Sequence, residues 1–449
     1  VIAAPRDGGA ACVLVAGVIH VPRDPFGEGP GALEAWAEGA IAIAADGRID
    51  DVGDATEVRS RHPDRPVVDR RGAIALPGFV DAHVHYPQLG VVGAIGLPLL
   101  RWLDERTFPF EARFLDRAFA EREARTFLRL LAANGTTSAL VFGAHVASAM
   151  EAFFETAEAS GLRVASGLVT ADHGMPAELC TTPERAYADS AALADRWHGR
   201  GRVRYAVSPR FAVTCGDGVL AACGALARER PELLVTSHLN ESRAEIAGVR
   251  AAFATDRDYL AVYERHGLVG PRSVFAHDVH PSDDELARLA AAGAAVAHCP
   301  TSNAFLGSGA FPFARHRRAG VRVALGTDVG AGTSLALLHE ALQAYLTQAA
   351  LGPEGEPLTA AHLLWLLTRA GADAIGLGDE VGDLCAGRAA DLVLIEPPPG
   401  SGLAAVLAHA EGPEAVLGAC LALAREGSVA ETWVQGAAVH RRADAGIGA

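Results

Sequence analysis

His83-Val84-His85 is the tripeptide of this 449-residue chain that points most directly to chemistry. In an extended segment residues i and i+2 share a face, so both imidazoles aim at one point. His238, His277 and Asp328 each close a later β-rich stretch, where strand ends would deliver them to the same rim. Three imidazoles and a carboxylate suit zinc or iron(II) and leave a position for water. Alone, H-x-H is as readily incidental packing or a surface pair. Its recurrence with His, His and Asp at the ends of separate strands carries the argument. Glu241 follows in His238-Leu239-Asn240-Glu241, three residues past an imidazole. From there a carboxylate can reach an activated water without ligating the ion, as a proton shuttle does. The competing reading is an acid at a helix N-terminus, favoured by the dipole.

These residues need a frame. From about residue 73 onward, short β-branched runs alternate with segments of helical spacing. The expected strands are Ile74–Val84, Thr136–Phe142, Arg163–Val169, Val203–Val207, Leu233–His238, Ser273–His277, Ala294–His298 and Val321–Thr327. Helical patterns fall between them, among them Ala112–Ala133, Ala186–Trp197 and Leu335–Ala350, and Ser282–Glu285 has the form of a capping box. Eight strands alternating with helices imply an α/β fold, a (β/α)8 TIM-type barrel. Both ends of the chain differ, with short strands around Gly-rich turns at Gly39–Ala45, Ala390–Ile395 and Glu431–Val439. The expectation is a composite β-sandwich domain from 1–72 and 380–449 beside a barrel over 73–379.

Composition narrows the partners. A net charge of −15 argues against nucleic acid and anionic membrane surfaces. No segment approaches about 18 uncharged apolar residues, so no membrane span is expected. Seven dispersed cysteines without a C-x-x-C pair, and no leader pattern near the start, suit reduced thiols in a cytoplasmic protein. All 39 basic residues counted as Lys plus Arg are arginines.

Several stretches together resemble the amidohydrolase superfamily over roughly residues 70–395. They are Pro77-Gly78-Phe79-Val80-Asp81-Ala82-His83-Val84-His85-Tyr86-Pro87-Gln88, Thr107-Phe108-Pro109, Asn134-Gly135-Thr136-Thr137, Pro209-Arg210-Phe211, His238-Leu239-Asn240-Glu241, His298-Cys299-Pro300-Thr301-Ser302-Asn303 and Gly326-Thr327-Asp328-Val329-Gly330. Gln88, Arg210-Phe211 and Leu306–Gly309 resemble the guanine deaminase family in particular. The resemblance implies that His83, His85, His238 and Asp328 hold one divalent metal, zinc or iron. It implies Glu241 as shuttle, His277 as hydrogen-bond partner of the water and the developing alkoxide, and Asp328 as first proton acceptor. It further implies that Gln88, Arg210 and Phe211 bind a purine, and that the protein is a homodimer acting in purine catabolism. A second metal bridged by a carboxylated lysine, found in some members of that superfamily, is closed to a chain without lysine.

One segment departs from the family pattern. Gly96-Leu97-Pro98-Leu99-Leu100 stands where Gly-Glu-Gln-Leu-Leu is usual. That keeps another aminated heterocycle open as substrate (8-oxoguanine, a pterin, a triazine or a pyrimidine amine). A non-catalytic scaffold is the reading from another class, and the full set of five site residues speaks against it. Arg210 has an alternative role as a structural ion-pair partner, and Phe211 as core. His280 reads as a solvated loop residue, His298 as packing and Cys299 as a buried thiol.

Overall fold

The computed structural model describes residues 10–443. Residues 1–9 and 444–449, the outer ends of the expected composite unit and the start of the stretch searched for a leader, lie outside the described residues. The N-terminal side contributes β1 (Cys12–His20), β2 (Glu34–Ile43), β3 (Ile49–Asp54) and β4 (Val67–Pro77). Next come β5 (Phe79–His85), β6 (Thr136–Phe142), β7 (Arg163–Gly167), β8 (Val169–Thr170), β9 (Val203–Pro209), β10 (Leu234–Leu239), β11 (Ser273–His277), β12 (Ala295–His298) and β13 (Arg322–Leu325). The chain then returns as β14 (Leu392–Ile395), β15 (Val429–Val434) and β16 (Ala437–Arg441).

Eight of these strands run parallel in the order β13-β12-β11-β10-β9-β7-β6-β5, with β8 paired to β9. Backbone bonds from Asp328 N to His83 O (2.9 Å) and from His85 N to Val329 O (3.2 Å) join the segment after β13 back to β5. The result is the expected barrel. Its interior holds mostly small side chains, Ala82, Ala165, Ala206, Ala295, Ala297 and Ala324 among them, filled out by Val80, Leu140, Leu234 and Val274. Larger apolar residues fill the layer outside the barrel, where Phe79 of β5 shares one core with Phe127, Phe153 and Trp197 of the surrounding helices, among them Arg117–Ala133 and Pro183–Trp197. The capping box of Ser282 and Glu285 is present at the start of Asp283–Ala292.

The terminal strands form one seven-stranded sheet in the order β16-β15-β14-β4-β1-β2-β3. It curls over its own core, in which Leu14, Ile41, Leu392 and Trp433 meet. Its two ends come together where Ala390 N donates to Gly47 O (2.8 Å) and Gly436 N to Ala390 O (3.1 Å).

Three expected strands divide differently, Arg163–Val169 breaking at Leu168 into β7 and β8. Ile74–Val84 is two strands, because the chain changes sheets at Gly78. A Cβ there would lie 2.3 Å from Thr137 Oγ1, a close approach that only glycine permits. Glu431–Val439 is a hairpin, reversed at Gln435 and Gly436, both at positive φ (48° and 73°). Two consecutive positive-φ residues are what a tight hairpin turn requires.

A buried ion pair ties barrel to terminal sheet. Arg163, at the start of β7, donates from Nε to Asp391 Oδ2 (2.8 Å) and from Nη1 to Glu380 Oε2 (2.9 Å). Asp391 is almost fully buried. Removing one partner of a buried pair leaves an uncompensated charge, at a cost of about 3–5 kcal/mol. Arg163→Met should therefore lose stability of that order in denaturant melts. Metal content of the folded fraction should stay unchanged, since Arg163 lies at the opposite end of its strand from the histidines.

Candidate active site

The strand ends set the site. His83 and His85 sit at the end of β5, where pairing with β6 slips between Asp81 and Val84, an irregularity of the kind that re-aims side chains. Their Nε2 atoms lie 3.1 Å apart, and His238 Nε2, from β10, is 3.2 Å from His85 Nε2. Asp328 follows β13 and places Oδ1 3.4 Å from His83 Nε2 and 3.1 Å from His85 Nε2. The four ligand atoms lie within 4.8 Å of one another, and all four residues are buried.

That set fits a divalent ion. Burial drives the His83 imidazole down to about 4, and burial with the neighbouring imidazoles drives His238 well below its usual value. Both are neutral and carry lone pairs. The Nδ1 of His238 donates to Arg210 O (2.6 Å), which turns its Nε2 lone pair toward the cluster. Burial would raise the Asp328 carboxyl, but the His83 and His85 imidazoles beside it hold it well below the usual carboxylate range. Three imidazoles and a carboxylate are a zinc-type donor set.

Glu241 and His277 stand beside the cluster. His277 Nε2 is 3.5 Å from Glu241 Oε2 and 3.8 Å from Asp328 Oδ2, while its Nδ1 is 3.0 Å from Asn303 Oδ1. Glu241 precedes the helix Arg243–Ala252 rather than capping it; Ser242 is the cap. Its backbone N–H is held by Glu245 Oε2 (2.9 Å), and Ser308 Oγ donates to its Oε1 (3.3 Å). Burial, with Asp328 nearby, pushes its carboxyl well above the usual range. Asn240, His277 and Asp328 all have positive φ (48°, 74° and 47°), a conformation non-glycine residues hold only under local constraint.

The cavity over this cluster has about 350 Å³ of empty volume. Gln88, Arg210 and Phe211 line it with His85, His238, Glu241, His277 and Asp328. Leu99, Trp102, Leu103, Leu306 and Ala331 complete the wall. Trp102 and Leu103 stand where the helix beginning at Leu99 passes into the π-helical turn Leu103–Thr107. Of the departing segment only Leu99, which the usual pattern shares, is a wall residue. Leu97 is half-buried in the apolar cluster behind it, and Pro98 is exposed.

Arg210 is an ion-pair partner as well as a wall residue. It lines the cavity, and its Nη1 donates to Glu111 Oε2 (2.8 Å) beside His145 Nε2 (2.8 Å). Phe211 likewise belongs to an apolar cluster and to the wall. His280 is half-buried rather than solvated, with Nε2 2.7 Å from Ser308 O. His298 stacks on Phe311 (centroids 4.2 Å apart), and Cys299 is buried.

Sequence reading missed Glu111, His145 and Asn303 as partners of site residues. Glu111 lies two positions beyond the Thr107-Phe108-Pro109 stretch that carried part of the resemblance. His145 has no motif spacing to announce it.

Fold and site define a metal-dependent hydrolase of the barrel type, and the chain belongs to the amidohydrolase family, whose model ("Amidohydrolase family") matches residues 74–439. Its relatives are narrower in kind. A Deinococcus radiodurans protein named "Probable guanine deaminase" is 53% identical over 429 residues, 95% of this chain and 98% of that protein. The "Guanine deaminase" of Escherichia coli is 39% identical over 81% of this chain and 82% of its own. Among solved structures, "E. coli Guanine Deaminase" superposes with a TM-score of 0.93 at 36% identity, covering 96% of this chain and all of that one (100%).

The Glu111 carboxyl has a pH consequence. Burial alone would raise it, but Arg210, His145 and Gln88 pull it down to about 2. A carboxyl depressed in the folded state contributes stability that is present above its unfolded value of about 4.5. That contribution is lost as pH falls toward 2. Acid-unfolding curves of Glu111→Gln should accordingly be shallower than wild type across that window, and parallel to it above pH 5.

Proposed function

We propose that this protein hydrolyses guanine to xanthine and ammonia at a single divalent ion held by His83, His85, His238 and Asp328. The carrying observation is the convergence of those four buried ligand atoms with Glu241 under one small cavity whose polar wall is Gln88 and Arg210. Zinc is our reading of the ion, from the three imidazoles and one carboxylate; the same donors also accept iron(II).

When bound, the ion supplies a water acidified from about 15.7 toward neutral pH. Asp328 takes the first proton on its carboxylate, whose Oδ2 faces His277. Glu241 holds a proton on Oε2 and delivers it to a ring nitrogen of the base, which then accepts the electrons displaced by attack at C2. Asp328 passes the proton it took to the departing amine, and the Glu241 carboxylate takes the remaining hydroxyl proton as the carbonyl forms, so both acids end as they began. His277 Nε2 sits between Glu241 Oε2 and Asp328 Oδ2, where it can hydrogen-bond the oxygen on which charge builds. Arg210 offers N–H groups to a purine carbonyl, and Phe211 gives a flat apolar face. Ammonia leaves from a cavity that holds little else.

The segment Leu97-Pro98 lies outside the cavity wall, which favours guanine over the other aminated heterocycles. We place this chemistry in the barrel over 73–379, with the strands of 1–72 and 380–449 as a supporting unit. We further read the protein as a cytoplasmic homodimer of purine catabolism. Seven free cysteines support the compartment, and no described helix is long and apolar enough to cross a membrane. The dimer follows from the resemblance, and sedimentation would test it.

Metal-replete protein should release equimolar xanthine and ammonia from guanine; no turnover would remove the proposal. Glu241→Gln should keep its metal by elemental analysis yet lose about 10²–10⁴-fold in kcat, the usual worth of acid–base help. Near-normal turnover would take Glu241 out of the mechanism.

A further inference from the structure

Glu111 touches none of the metal ligands, yet it holds both polar residues of the wall. It ends the short helix Phe108–Glu111 that follows the π-helical turn, and it is almost fully buried. Gln88 Nε2 donates to its Oε1 (2.8 Å) and Arg210 Nη1 to its Oε2 (2.8 Å). An ionised carboxylate only accepts hydrogen bonds. The Gln88 amide therefore has one orientation available, with nitrogen on Glu111. The flipped amide would set its oxygen 2.8 Å from another acceptor. Its Oε1 is left for the cavity, with no hydrogen-bond partner among the described residues.

Arg210 is fixed by the same group. Nη1 is committed to Glu111, and the guanidinium lies over the Phe108 ring at 4.9 Å from its centroid. Among the described residues Nε and Nη2 have no hydrogen-bond partner, so they remain as donors for whatever enters. One acceptor and a pair of donors thus face the cavity together.

We propose that Glu111 is a positioning residue that fixes the polarity of the substrate-reading wall, so that the site demands a ring N–H beside a carbonyl. The inference rests on the guanine reading and deepens it. Guanine carries O6 as acceptor and N1–H as donor. 2,6-Diaminopurine keeps the reactive C2 amine but reverses that edge, with an amine donor at C6 and a bare acceptor at N1. Wall and guanine match; wall and diaminopurine clash, acceptor on acceptor and donor on donor.

Glutamine at position 111 would break the rule. Its amide can donate to Gln88 Oε1 and let Gln88 turn its nitrogen inward, so both polarities become available. The test measures kcat and KM for guanine and for 2,6-diaminopurine in wild type, Glu111→Gln and Gln88→Leu, all metal-replete. In Glu111→Gln the guanine-to-diaminopurine ratio of kcat/KM should fall about tenfold or more, the order set by one mispaired charged hydrogen bond. The loss on guanine should lie in KM more than in kcat, measured with the divalent ion in excess so that a weaker hold on the metal does not enter the ratio. Gln88→Leu, which leaves the Glu111–Arg210 pair in place, should lower the same ratio and so tests the polarity even if Glu111→Gln does not fold. A ratio unchanged in Glu111→Gln while its melting temperature drops would make Glu111 a purely structural ion-pair partner and overturn the inference. A ratio that rises in Gln88→Leu would overturn it too, by showing that Gln88 presents its nitrogen. Wild type that turns over guanine while the ratio fails to move refutes this inference alone. Wild type inert toward guanine refutes the proposed function and takes the inference with it.

Discussion

Two backbone hydrogen bonds, Asp328 N to His83 O and His85 N to Val329 O, join the first barrel strand to the segment that follows the last. Residues about 245 positions apart in the chain become neighbours by this closure, and three of the four ligand side chains belong to those two segments. Asp81 reinforces the seam, accepting from Thr327 N (3.0 Å), Thr327 Oγ1 (2.6 Å) and His83 N (3.2 Å). Gly326 fits against it because a Cβ there would lie 2.9 Å from His83 Cβ and from its backbone. The ligand cluster is thus a by-product of closing the sheet, and any slip between β5 and β13 would open both.

The same logic runs along the rim. Positive φ at Asn240, His277 and Asp328 turns the chain sharply as each strand ends. Such conformations persist only where neighbours over-determine them. Asn240 Nδ2 reaches Asp278 Oδ1 (3.0 Å) and Glu285 Oε1 (3.2 Å), and Asn303 meets His277 Nδ1. Glu245 serves twice, holding the Glu241 backbone and completing the capping box of its own helix. Rigidity at the rim comes from buried side chains that never face the cavity.

This division explains what was legible in the sequence. Short β-branched runs between helical patterns report strands, so Thr136–Phe142 and Ser273–His277 coincide with β6 and β11 to the residue. H-x-H and the His-Leu-Asn-Glu run report chemistry, since few other uses bring those side chains to strand ends. Gly78 was harder to read: a change of sheet leaves the apolar pattern unbroken, and only the close approach to Thr137 reveals it. The hairpin at Gln435-Gly436 lacked the Asn-Gly or Asp-Gly form of the usual signal. Glu111 and His145 were illegible for a different reason. Their meaning lies in contact with Arg210, 99 and 65 residues away, which no local spacing records.

Charge explains why that remote contact matters to the rest of the site. A site that binds a divalent cation and also lines its wall with a guanidinium gathers positive charge in a small, poorly solvated space. Asp328, held well below the usual carboxylate range, offsets one unit, while burial disfavours a second charge on Glu241. An unpaired Arg210 would repel the ion through a medium far less screening than water. Glu111 neutralises the guanidinium at 2.8 Å and carries its charge on the side of Arg210 bonded through Nη1. The remaining N–H groups of Arg210 then face the cavity from a neutralised pair, without adding net charge beside the His83–His85–His238–Asp328 cluster. Buried ion pairs rarely add net stability over an apolar replacement, so the physical reason for this one lies in letting two cations share a cavity.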